Sequence, residues 1–76
     1  MNKIRRNVLQ AVINQLEDLK SNLEEAQNDE EEYRDNIPEN MQGSERYEKA
    51  DSACDCLSDA IDCLEEAINY IESAIE

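Results

Sequence analysis

Two apolar stripes with matching heptad spacing, joined by one short loop, constrain this chain more than any other feature. The first runs Leu9, Val12, Leu16, Leu19, Leu23, Ala26, Glu30 and Tyr33. The second runs Tyr47, Ala50, Cys54, Leu57, Ile61, Leu64, Ile68, Ile71 and Ile75. Steps of three and four alternate along both, the period of helices that pack knobs into holes. Set antiparallel with Tyr33 opposite Tyr47, the stripes hold one register without slip. Ala26 then meets Cys54, Leu23 meets Leu57, Leu19 meets Ile61, Leu16 meets Leu64, and Val12 and Leu9 meet Ile68 and Ile71. Agreement between local period and long-range pairing marks a foldable sequence. The expected fold class is all-α, an antiparallel two-helix hairpin packed as a coiled coil.

Breaker chemistry places the connection. Pro38 lacks a backbone donor and disfavours helical Ile37, so the first helix is expected to end near Asn36. Gly43 can take a positive φ, and Ser44 can cap the second helix with Glu45 in its first turn. The capping-box spacing of Asn36 and Glu39 allows a short helical turn inside 38–42. The reading is one domain over 1–76, with helices at 3–35 and 45–75 and a loop at 36–44. Ile37 and Met41 are placed to close the tip of the core against Tyr33 and Tyr47.

Seventy-six residues in one hairpin leave a single seam to bury, a small core for an independent fold. Ala53, Ala60, Ala67 and Ala74 flank that seam on the second helix, while Ile4, Val8, Ala11 and Ile13 broaden the stripe on the first. Small flanking residues admit a close neighbour, so a homodimer forming a four-helix bundle is expected. The alternative is that the alanines are simply good helix formers on a part-exposed flank.

Cys54, Cys56 and Cys63 suit a reducing compartment. Cys54 lies on the seam, and Cys56 and Cys63 stand about 10 Å apart along one helix, too far for a disulfide between them. No apolar run is long enough for a signal peptide or membrane span, and anionic lipid would repel so acidic a surface. A cytoplasmic protein without membrane attachment is the expectation.

Charge is the main functional clue. Residues 1–20 hold four basic and two acidic groups, a net of +2, whereas residues 21–76 hold three basic and 18 acidic groups, a net of −15. Adjacent acids repel, and helix propensity does not call for them. The candidate partner-binding surface is a ladder down the second helix, Asp51, Asp55, Asp59, Asp62 and Glu66, with a second row of Glu24, Glu25, Asp29, Glu32 and Asp35. Helix positions four apart recur about every 6 Å, close to the roughly 6–7 Å between successive phosphates of a strand, so the rod can imitate nucleic acid toward a basic protein. A purely solvated face is the competing reading. Direct nucleic-acid binding is opposed by the net charge of −13. Lys3, Arg5 and Arg6 are expected instead to meet Glu72 and Glu76 at the end of the second helix. With no histidine and no EF-hand spacing, no metal site, cofactor or catalytic residue is assigned, and the chain reads as non-enzymatic.

The run from Asp35 through Asn36-Ile37-Pro38-Glu39-Asn40-Met41-Gln42-Gly43-Ser44-Glu45-Arg46-Tyr47-Glu48-Lys49 to Ala50 resembles a family of small acidic helical proteins from phages and mobile elements of Gram-positive bacteria. The family carries no activity to transfer. The resemblance implies a bacterial host cytoplasm and favours obstruction of a host defence or nucleic-acid-binding protein. The three cysteines depart from the more aliphatic second helix of that family, so no role at those positions is carried over. The leading expectation is a protein-binding inhibitor that acts as a nucleic-acid mimic. The runner-up is a self-assembling structural or regulatory coiled-coil adaptor.

Overall fold

A computed structural model describes residues 1–76 as two long helices and no strand. Helix α1 spans Lys3–Asp35 and helix α2 spans Glu45–Ile75, with a single 3₁₀ turn over Glu39–Met41 between them. The molecule is a rod of 59 × 15 × 12 Å, the length of one 33-residue helix plus the loop. Ion pairs from Arg34 to Asp51 near the loop and from Lys20 to Glu65 further along fix the helices as antiparallel.

Side-chain caps start both helices. Asn2, in extended conformation, accepts a 2.8 Å hydrogen bond from the Arg5 N–H, and Ser44 accepts one of 3.3 Å from the Tyr47 N–H. Each bond satisfies one of the orphan donors of a first helical turn. At the end of α1, the Asn36 N–H still reaches Glu32 O at 3.0 Å, and then Pro38 in extended conformation turns the chain. The 3₁₀ turn forms within 38–42 without a side-chain cap, so Asn36 does not play the capping role its spacing offers. Gly43 is not in the left-handed region either; the backbone turns at negative φ, with the Ser44 N–H bonded to Met41 O at 3.0 Å.

The buried residues are Ile13, Ile37, Ala50, Cys54, Ile61 and Ile68, flanked by part-buried Leu9, Val12, Leu16, Leu23, Tyr47, Leu57, Leu64 and Ile71. The α2 stripe therefore faces inward, with Cys54 packed as a small apolar group. The α1 stripe is rotated from expectation. Leu19 is 53% exposed, Tyr33 is 44% exposed, and Ala26 is exposed as well. Their places in the seam go to Ile13, Lys20, Gln27 and Arg34, which share a helical face with Leu9, Leu16, Leu23 and Glu30. Turning α1 this way lays the apolar stems of Lys20 and Arg34 along the seam while their charged ends reach Glu65 and Asp51.

Two further expectations are corrected. Ile37 closes the tip of the core, but Met41 is exposed and takes no part. Lys3, Arg5 and Arg6 make no ion pair with Glu72 or Glu76, and all five side chains stand exposed. Long, solvated side chains at helix ends gain too little from such pairing to be held in place.

Candidate acidic binding face

Two antiparallel helices that share a seam have two sides, and helical geometry sorts the residues between them. Each residue turns the chain about 100°, so positions just before the seam on both helices point to one side and positions just after it point to the other. The cross-helix contacts agree with this division. Tyr33 and Arg46, each one residue before a seam position, meet on one side, where Arg46 Nε donates to Tyr33 Oη at 2.7 Å. On the opposite side Arg34 Nη1 donates to Asp51 Oδ1 at 3.0 Å, and Lys20 Nζ lies 4.0 Å from Glu65 Oε1.

The second of these is the acidic side. It carries Glu17, Glu24, Glu31 and Asp35 from α1 and Asp51, Asp55, Asp62, Glu65 and Glu72 from α2. Lys20 and Arg34 lie along its inner edge. Arg34 also donates through Nε to Asp35 Oδ1 at 3.1 Å, so one guanidinium bridges carboxylates from both helices. Those hydrogen bonds, led by the one to Asp35, hold it even more firmly protonated than an ordinary arginine. Asp51 is half-buried by this contact, while the remaining acids of the expected partner surface are exposed.

The expected ladder is thus divided by the fold. Glu24, Asp35, Asp51, Asp55 and Asp62 come to one side. Glu25, Glu32, Asp59 and Glu66 fall on the outer backs of their helices, and Asp29 turns toward the opposite side. Glu17, Glu31, Glu65 and Glu72, none of them part of that ladder, join the acidic side. Heptad spacing from the seam, the pattern that governs which side a residue occupies, is the signal that selects them.

The concavity on this surface is an open depression of 310 Å³ lined by Asp62, Glu65, Glu66 and Asn69. It has no apolar wall, so it offers a solvated carboxylate surface rather than the desolvated environment that separates an acid from a base. No group of three or more carboxylates or thiolates is arranged to hold a metal ion. Among the cysteines, burial pushes the Cys54 thiol above its ordinary value of 9.0, and nearby Arg34 partly offsets the effect. Cys56 and Cys63 are free and exposed.

The other side is nearly free of carboxylates. From α1 it presents Arg5, Val8, Val12, Gln15, Leu19, Asn22, Ala26 and Tyr33, with Asp29 as the one acid. From α2 it presents Arg46, Lys49, Ala53, Cys56, Ala60, Cys63, Ala67, Tyr70 and Ala74, with no acid. No helix is long and apolar enough to cross a membrane. No protein-family model matches the chain, and neither a curated protein nor a solved structure shows significant similarity to it.

Proposed function

We propose that this hairpin is a non-enzymatic binding protein whose acidic side occupies a basic, nucleic-acid-binding surface of a host protein in the bacterial cytoplasm, and so inhibits it. The observation that carries the reading is the sorting of charge. Carboxylates from both helices gather on one side of a narrow rod, where Lys20 and Arg34 at its inner edge are the bases that pair across the helices. A stiff array of this kind attracts a basic cleft over distances of a Debye length, about 8–10 Å at ordinary salt, and competes with a polyanion for it. The hairpin itself binds no nucleic acid and requires no cofactor in this scheme.

The test is capture of partners from host lysate, followed by competition with duplex DNA and RNA at fixed salt. A partner displaced by either polymer supports mimicry. Replacing Glu24, Asp55 and Asp62 with lysine should abolish capture while helicity is retained. Lysine at Glu25, Glu32 and Asp59, on the outer backs, makes the same change in net charge and should weaken capture far less. Equal losses from the two triple variants would mean that bulk charge, and not this face, is recognised.

A second reading is favoured by a different observation, the large apolar residues left exposed on the other side. Here the seam packs as a coiled coil, two hairpins join as a four-helix bundle, and the protein acts as a self-assembling adaptor whose acids serve solvation. Self-association and inhibition are compatible, since they use opposite sides of the rod.

A further inference from the structure

The carboxylate-poor side presents one heptad column from each helix. Its α1 column is Arg5, Val12, Leu19, Ala26 and Tyr33, spaced by heptads about Leu19. Its α2 column is Arg46, Ala53, Ala60, Ala67 and Ala74, spaced by heptads about Ala60. Tyr33 touches Arg46. Leu19 lies as many residues back along α1 from Tyr33 as Ala60 lies forward along α2 from Arg46. The two column centres are therefore at one level of the rod.

We propose that this side pairs with the same side of a second copy, antiparallel, about a twofold axis that runs across the rod and passes over both Leu19 and Ala60. The proposal rests on the self-association reading above and specifies its geometry. Each α1 then lies over the partner's α1 and each α2 over the partner's α2. Leu19 meets its own counterpart, Val12 meets Ala26 and Arg5 meets Tyr33. On the other helix pair, Ala60 meets Ala60 and Ala53 meets Ala67. The two layers differ in bulk, and Ala53, Ala60 and Ala67 let the middle of the α2 pair approach closely, with Arg46 set against Ala74 at either end. The shoulder columns match in the same register, with Gln15 near Asn22, Cys56 near Cys63 and Lys49 near Tyr70, an amide pair and a cation–π pair among them.

Area and charge favour this occupant and this orientation. A side 59 Å long and 15 Å wide offers on the order of 900 Å², close to the roughly 800 Å² per partner of a stable interface. The tip half, residues 24–51, holds 11 acidic and three basic groups. A parallel pair would set two such tips together. The antiparallel pair sets each tip over the partner's basic start, where Lys3, Arg5 and Arg6 have no ion-pair partner in their own chain. The acidic sides then face outward on both surfaces of the bundle.

Sedimentation equilibrium and thiol crosslinking test this on the full chain. Wild type should be dimeric, and Leu19→Glu, at an exposed position that leaves the hairpin helical by circular dichroism, should weaken association on the order of tenfold or more. In a Cys54→Ala background, chains keeping only Cys56 should form disulfide dimers when mixed with chains keeping only Cys63, and neither should do so efficiently alone. The cysteines serve here as reporters of position. A monomer at all concentrations would overturn both the pairing and the self-association reading. A dimer indifferent to Leu19→Glu, or one that crosslinks only like with like, would overturn this geometry and leave self-association standing.

Discussion

Gly43 lies in a loop whose backbone stays at negative φ, and a Cβ built there meets no atom within 4 Å. Glycine at such a position adds freedom to the unfolded chain and nothing to the folded one. Alanine should therefore raise stability by about 0.4–1 kcal/mol, read as a higher urea midpoint at unchanged slope. A lower midpoint would show that the loop draws on glycine conformations absent from this turn. The residue scale also separates what was legible from what was not. Ser44 reads directly as a cap because a hydroxyl before an acidic first turn has one obvious use. Asn2 makes the equivalent bond to Arg5 but precedes basic residues, and the acidic first turn that usually announces a cap is missing. Pro38 fixes where α1 must stop, whereas the φ of Gly43 depends on how the 3₁₀ turn closes, a detail composition does not carry.

On α1, two heptad stripes share Leu9, Leu16, Leu23 and Glu30, and they differ only in whether the alternate positions are Val12, Leu19, Ala26 and Tyr33 or Ile13, Lys20, Gln27 and Arg34. Hydropathy selects the first set, but the second set is the one turned toward α2. A hydropathy count scores lysine and arginine by their charged ends, yet the stems of Lys20 and Arg34 lie along the seam with only 22% and 23% of each side chain exposed. The helices, their boundaries and the α2 face were thus legible in the sequence, while the rotation of α1, which buries Ile13 and brings Lys20 and Arg34 to Glu65 and Asp51, was not. Polar groups at seam positions specify register at some cost in stability. Lys20→Leu should therefore raise stability by about 1 kcal/mol, read as a higher urea midpoint, because a solvated 4.0 Å pair is worth little and apolar burial more. The same variant should associate less discretely, giving species larger than a dimer in sedimentation. A lowered midpoint would instead make the Lys20–Glu65 pair, at 4.0 Å, a principal stabiliser of the hairpin.

Over the whole molecule, a net charge of −13 is carried by a rod 15 Å wide, so carboxylates of the two helices face one another across a distance comparable with the Debye length at moderate salt. The screening length falls from about 30 Å at 0.01 M to about 10 Å at 0.1 M, and the self-repulsion of the folded state should fall with it. The unfolded chain spreads the same charge over a larger volume and gains less. At fixed protein concentration, the thermal midpoint should rise with sodium chloride, and each 1 kcal/mol recovered should move it by about 4–8 °C in a chain of this size. The identity of the cation decides how this rise is interpreted. Hard divalent ions stabilise beyond screening only where several oxygens converge, and no group of three or more carboxylates does so here. Magnesium and sodium chlorides should therefore give coincident melting curves at matched ionic strength. A magnesium curve well above the sodium one would mean that the carboxylates of the rod hold divalent ions beyond ionic screening. The acidic side would then have to be read as a cation site rather than as a surface held ready for a basic protein.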